Sequence, residues 1–293
     1  MLEQHVKVDI ETISFDLLKQ SKALDIFPTP VDRILQYSSL TINKEINLSI
    51  DHESFFKKAS IQLTKALKKV RGFLDRRENV ICLDLSVKEN RQNFVKLHET
   101  GHAVLPWQNS ILHFVDNDDT LDPAVKELFE AEANFFASLT LFQHDRFTKK
   151  AEDLPLELNS AIHLAKQFGA SIHASLRRYV EHSNKRCSLL VLRDISSKRE
   201  VPVCFVRDYF QSISFTKTFG EITWPAQLGY KWTFVKEYYH EKKFKKDGVI
   251  ELETSQGNID FTYHFFNSTY NAFVLLFPVG EKNKSKTRFL VKQ

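Results

Sequence analysis

The chain has 293 residues, 42% hydrophobic and 27% charged, an ordinary globular composition with length for about two domains. This excludes a disulfide- or metal-stapled mini-domain and a largely disordered chain. Net charge is +4 but uneven, because residues 185–293 carry 18 Lys/Arg against 11 Asp/Glu, so the C-terminal part is compatible with an acidic partner or nucleic acid.

In chain order, residues 11–24 carry apolar side chains at helical spacing (Ile13, Leu17, Leu18). A second helix is expected from Thr29-Pro30 to about Ser38, with Thr29 as the cap and Pro30 in the first helical position. Thr41 to Leu48 reads as a short strand, and residues 52–70 as a basic amphipathic helix. Two apolar runs, Val70 to Leu74 and Asn79 to Leu85, flank the polar turn Asp75-Arg76-Arg77-Glu78 as a hairpin. Ser86-Val87-Lys88-Glu89 has the capping-box pattern and opens a helix through Phe94, His98, His102 and Leu105, stopped by Pro106. A loop with an acidic stretch, Asp116 to Asp119, leads to a helix that starts at Asp122-Pro123 and runs to about Phe142. Residues 156–182 predict two shorter helices broken at Gly169. From Leu189 onward SLLVL, VPVCFV, KWTFVKEYY, GVIELET, IDFTYHFF and AFVLLFPV read as strands. The lysines Lys242, Lys243, Lys245 and Lys246 read as a solvated hairpin tip before Asp247-Gly248. The fold class expected is α+β, a mostly helical first domain over 1–150, a helical segment over 151–186, and a β-rich domain over 187–293.

Apolar runs such as 271–279 fall far short of the roughly 20 residues that span a bilayer, and the charged N-terminus is unlike a secretory signal. Cys82, Cys187 and Cys204 are scattered, with no CxxC, which predicts a reducing, cytoplasmic setting and no membrane partner.

The chemistry concentrates at His98-Glu99-Thr100-Gly101-His102, an HExxH on a helix. Residues four apart share a helix face, so the two imidazoles can grip one Zn²⁺. Glu99 flanks the ion without ligating it and can take a proton from water that the cation acidifies. A catalytic zinc needs a third protein ligand. Glu127, Glu130 and Glu132 are the candidates on the 122–142 helix. Glu130 shares its face with Ala133, Asn134, Ala137 and Leu141, whose small members permit close approach to the HExxH helix, whereas Glu132 lies on a bulkier flank with Phe136 and Leu139. Glu130 is therefore the expected ligand, and Asn134 is placed to bond the free ring nitrogen of a ligating histidine.

The stretch NVICLDLSVKENRQNFVKLHETGHAVL followed by FEAEANFFA resembles the ImmA/IrrE metallo-endopeptidases. The shared positions are Arg91, Phe94, His98, Glu99, Gly101, His102, Glu130, Asn134 and Ala137, and the 27 residues between His102 and Glu130 suit the family spacing. Pro30 to Tyr37 looks like the family's N-terminal helix. The resemblance covers residues 25–145. It implies a zincin-like fold over 1–150 with Zn²⁺ (Mn²⁺ as the alternative) on His98, His102 and Glu130, Glu99 as general base, and a site-specific cut in a protein substrate such as a helix-turn-helix repressor. The chain departs from the family at Leu97 and at Leu139-Thr140-Leu141-Phe142-Gln143, neither of which includes a ligand.

Residues 161–181 also look like a helix-turn-helix with Gly169 at the turn, making Arg177 and Arg178 candidate phosphate contacts for DNA. The rival reading is thus a non-catalytic DNA- or protein-binding regulator that keeps a structural metal site. The β-rich domain is expected to regulate or to recruit substrate, by analogy with longer family members.

Overall fold

A computed structural model describes residues 2–47, 72–86, 88–114, 122–196 and 202–281. The 52–70 helix, the first residues of the hairpin, Val87 and the acidic stretch at 116–119 lie outside the described residues. The architecture is α+β, in two compact units: Met1–Phe147 with Lys166–Ser171, and Thr148–Ala165 with Ile172–Gln293.

The first unit begins with α1 (Gln4–Gln20), which buries Ile10, Ser14, Leu17 and Leu18 along one face. α2 (Val31–Tyr37) follows, but Thr29 does not cap it and Pro30 sits at the N-cap. The Thr29 hydroxyl instead donates to the Leu141 carbonyl at 2.8 Å. The buried Gln143 amide accepts from Asp25 N and donates to Ile26 O, so residues 25–29 are tied to the following helical region by directed bonds. β1 (Thr41–Asn47) pairs in parallel with β3 (Val80–Leu83), and β2 (Gly72–Asp75) pairs antiparallel with β3, giving the order β1-β3-β2. The 70–85 hairpin is thus present, and its third strand comes from a distant segment.

α3 (Glu89–Val104) carries the HExxH. Its N-cap is Lys88, without a side-chain bond, so the expected capping box does not form. The reason is local competition, since Asp84 Oδ1 accepts from both the backbone N–H and the hydroxyl of Ser86. Pro106 ends α3 as expected, yet the next residues are not a loop. Proline at a helix start loses no hydrogen bond, and Pro106 opens α4 (Pro106–Phe114). α5 (Pro123–Leu141) follows, capped by Asp122, which accepts from Ala124 N. α6 (Arg146–Glu152), α7 (Leu158–Phe168) and α8 (Ile172–Glu181) complete the helical part, with the break at Gly169 in the left-handed region at φ 71°.

The second unit holds a six-stranded antiparallel sheet of β4 (Ser188–Ser196), β5 (Val203–Gln211), β6 (Gln227–Gly229), β7 (Phe244–Thr254), β8 (Gly257–Asn267) and β9 (Ala272–Pro278), ordered β6-β5-β4-β9-β8-β7. One face packs Leu190, Leu192, Phe261, Tyr263, Val274 and Leu276 against α9 (Ile213–Phe219) and α10 (Thr233–Tyr239). α8 packs against β4 and β5. The central strands are buried on both faces, which is why β9 and the start of β4 are unbroken apolar runs.

KWTFVKEYY corrects the strand reading, because it contains helix α10. Phe234, Val235 and Tyr238 fall on one helical face and are buried there. The lysine run is also not a hairpin tip. Lys245 and Lys246 lie within β7, where Lys246 pairs with Glu157 at 2.6 Å, and the β7–β8 turn sits at Ser255-Gln256. All three cysteines are buried and free. Among the described residues no helix is long and apolar enough to cross a membrane.

Candidate metal centre

Close packing of α3 on α5 builds the site. A Cβ on Gly101 would stand 3.0 Å from Phe136 Cδ1 and 3.3 Å from the Ala133 backbone. Glycine at 101 and alanine at 133 therefore let the two helix backbones approach. One turn before Ala133, Glu130 reaches the HExxH face. Its carboxylate oxygens lie 3.3 Å from His98 Nε2 and 3.4 Å from His102 Nε2, and the two Nε2 atoms are 3.1 Å apart.

Two ligands, each about 2.0–2.1 Å from a tetrahedral Zn²⁺, are separated by roughly 3.3 Å. The three measured separations bracket that value. Among the described residues, His98, His102 and Glu130 form the one group of His, Cys, Asp and Glu side chains that could hold a metal ion. The donor set, two imidazoles and one carboxylate, matches the three protein ligands of a hydrolytic zinc site, which leaves the fourth position open. The imidazoles are largely buried, at 14% and 10% side-chain exposure, whereas Glu130 is 51% exposed. The site is thus walled on the histidine side and open on the glutamate side.

The electrostatics follow from this placement. Hydrogen bonding to His102 and His98 holds the Glu130 carboxyl well below the usual carboxylate range. Burial opposes a charged His98, but Glu130 and Glu99 outweigh it and leave the pKa above the ordinary histidine value. Glu99 is buried at 6% exposure, and that burial pushes its carboxyl up against the pull of both histidines. Arg76 Nη1 donates to the His102 carbonyl at 3.0 Å, anchoring the end of the motif to the β2–β3 turn.

Glu132 and Glu127 do not join the cluster. Glu132 is buried and accepts from Trp107 Nε1 at 2.7 Å and Gln108 Nε2 at 2.6 Å. The Gln108 Oε1 atom in turn meets His102 Nδ1 at 2.7 Å. The partner of the His102 ring is therefore Gln108, a residue the sequence did not suggest, while Asn134 approaches the other histidine. Asn134 stands by His98 and favours its charged form. His98 Nδ1 is buried with no hydrogen-bond partner among the described residues. Sequence reasoning missed Gln108 because the 106–114 segment read as loop. On a helix starting at Pro106, Gln108 falls in the first turn, beside the end of α3.

Arg178 is buried on α8, with burial lowering its pKa to about 10, so it does not stand on the surface where a phosphate contact is made. Arg177 pairs with Glu181 at 3.0 Å and lies over the Phe210 ring. His173 pairs with Asp208 at 3.1 Å.

Residues 58–179 match the family described as IrrE N-terminal-like domain, Peptidase_M78. This part of the chain is therefore similar to the IrrE N-terminal-like domain. Its matched stretch contains the whole His-His-Glu cluster. No curated protein matches the chain. Among solved structures, a Mycobacterium tuberculosis transcriptional regulator aligns over 92% of this chain and 75% of that chain, at 12% identity and a TM-score of 0.52. At that identity the likeness speaks for the fold alone. Residues 58–179 thus resemble a peptidase-like domain and carry, where α3 packs on α5, a cluster that could hold a metal ion.

Proposed function

We propose that this chain is a zinc-dependent endopeptidase that makes a site-specific cut in a protein substrate, with His98, His102 and Glu130 as the metal ligands and Glu99 as the general base. The observation that carries the reading is the convergence of two imidazoles and one carboxylate from separate helices, all within 3.4 Å of each other. A divalent cation bound there supplies Lewis acidity that polarises a peptide carbonyl and acidifies water. The protein's part is to hold and move the proton. Glu99 follows the first ligand in the helix and is sealed from bulk water. Its raised pKa suits a group that takes a proton from water and passes it to the leaving amine.

A transcriptional regulator as a structural neighbour agrees with a regulatory setting, and the family resemblance favours a DNA-binding repressor as the substrate. The β-rich region 187–293 acts as the regulatory or substrate-recruiting part.

Glu99→Gln tests the reading. It removes the base and leaves all three ligand side chains in place. The expected result is unchanged Zn²⁺ stoichiometry, cleavage lost by a factor of about 10²–10⁴, and a trapped substrate that co-purifies. If biological activity survives at the wild-type level, the chain acts as a non-catalytic regulator and the peptidase reading is wrong.

A further inference from the structure

Beyond the ligand set, and resting on the metal reading above, we infer that Gln108 and Glu132 are positioning residues that preset His102 as a metal ligand. Glu132 orients the Gln108 amide, and Gln108 fixes the tautomer of the imidazole.

The argument is one of donors and acceptors. Gln108 Nε2 faces Glu132 Oε2 at 2.6 Å and the Phe129 carbonyl at 3.2 Å. A carboxylate and a backbone carbonyl accept and cannot donate, so the NH₂ end of the amide must point toward them. The amide oxygen then faces His102 Nδ1 at 2.7 Å. An amide oxygen only accepts, so Nδ1 carries the proton. In the neutral imidazole that leaves the lone pair on Nε2. Nε2 is the atom that faces His98 and Glu130, where a cation is held.

Burial keeps this chain of bonds in one state. Gln108 is 0% exposed and Glu132 is 2% exposed, so neither amide nor carboxylate can turn to water. Trp107 Nε1 donates to the same Glu132 oxygen at 2.7 Å and pins the carboxylate from a second side. The network also crosses the fold at a useful place. Trp107 and Gln108 open α4, while Phe129 and Glu132 flank Glu130 on α5. The residue that fixes the tautomer is thus held by the neighbours of the carboxylate ligand. His98 has no such partner on Nδ1.

Two measurements on the full-length chain test this. In metal-free, ¹⁵N-labelled wild-type protein, a long-range ¹H–¹⁵N correlation spectrum is expected to show His102 protonated at Nδ1. His102 protonated at Nε2 and bare at Nδ1 overturns the inference. Zn²⁺ affinity is then read by chelator competition. Gln108→Leu and Glu132→Leu are each expected to bind about 10–100-fold more weakly, although Glu132 touches no ligand. The double variant is expected to be no weaker than Gln108→Leu, because both act through one chain of bonds. Glu132→Gln is expected to recover most of the affinity, since its amide oxygen accepts from the same two donors. Unchanged affinity in Glu132→Leu, or independent additive losses, overturns the inference. If a Leu variant does not fold by circular dichroism, the wild-type tautomer decides alone. If the wild-type chain takes up no Zn²⁺, the proposed function fails, and the tautomer still decides the positioning claim.

Discussion

Gly101→Ala probes the contact on which the metal cluster depends. Alanine is better than glycine in a helix interior by about 1 kcal/mol, so propensity alone predicts stabilisation. The structure predicts the opposite. The new methyl would lie 3.0 Å from Phe136 Cδ1 and 3.3 Å from Ala133 Cα. Phe136 is 0% exposed, so its ring has no room to swing away, and a backbone atom moves only with its helix. Such overpacking costs about 1–3 kcal/mol. The net expectation is a loss of up to about 2 kcal/mol, a Tm lower by as much as roughly 8 °C for a protein of this size. The larger effect falls on the metal. Relief comes from α5 backing away from α3 by a few tenths of an ångström, and Glu130 rides on α5 one turn from the contact. The third ligand is thereby drawn from both imidazoles. Calorimetry of the apo protein and Zn²⁺ competition measure the two effects separately. A variant with a raised apo Tm and wild-type Zn²⁺ affinity would falsify the packing argument.

Zinc binding itself should register as stability. Free Zn²⁺ at 100 times its Kd is expected to stabilise the fold by about 2.7 kcal/mol, a Tm rise of roughly 5–11 °C that chelation reverses. Glu130→Ala should remove most of that rise while changing the apo Tm little, because the side chain is half exposed. An undiminished zinc-dependent rise in this variant argues that another group completes the site. A third prediction concerns acid. His264 is 3% exposed, its nearest carboxylate oxygen on Asp247 is 3.8 Å away, and burial lowers its pKa, with Asp247 and Glu157 opposing and Lys246 adding to the shift. A histidine with a depressed folded pKa contributes fully above its unfolded value near 6.5. That contribution is lost as pH falls through that value, until the folded form also protonates. Urea midpoints taken at pH 8 and pH 5.5 should therefore fall with acid, and His264→Phe should shrink the difference. Equal pH dependence in the two proteins removes His264 as a cause.

The candidate metal cluster was legible in the sequence because its information is local. Helical periodicity places His98 over His102, and the face shared by Glu130, Ala133 and Ala137 distinguishes Glu130 from Glu132. Where the sequence misled, a second partner was decisive. Ser86 has the residue type for a cap, but Asp84 takes both its hydroxyl and its N–H. KWTFVKEYY has strand-forming residues, but apolar side chains at 234, 235 and 238 fit a helix equally in so short a window, and burial against the sheet selects the helix. The parallel pairing of β1 with β3 joins segments about 40 residues apart, and alternation within either strand says nothing of its partner.

Pro106 shows why the Trp107–Gln108–Glu132 network stayed hidden while the His-His-Glu cluster did not. A proline marks the end of one helix by the hydrogen bond it cannot make, and by the same property it is suited to begin another. Read only as a stop, it turns 106–114 into a loop and leaves Gln108 without a place. Read as a start, it puts Trp107 and Gln108 in the first turn of α4. There the helix's leading side chains reach His102 and Glu132. The choice between the two readings depends on whether a partner exists for those side chains. That partner is Glu132, a carboxylate the sequence could weigh only as a rejected ligand. A buried acid such as Glu132, two residues from Glu130, is costly unless it is hydrogen-bonded. Its presence on the inner flank of α5 therefore implies donors on a facing element, and α4 supplies them.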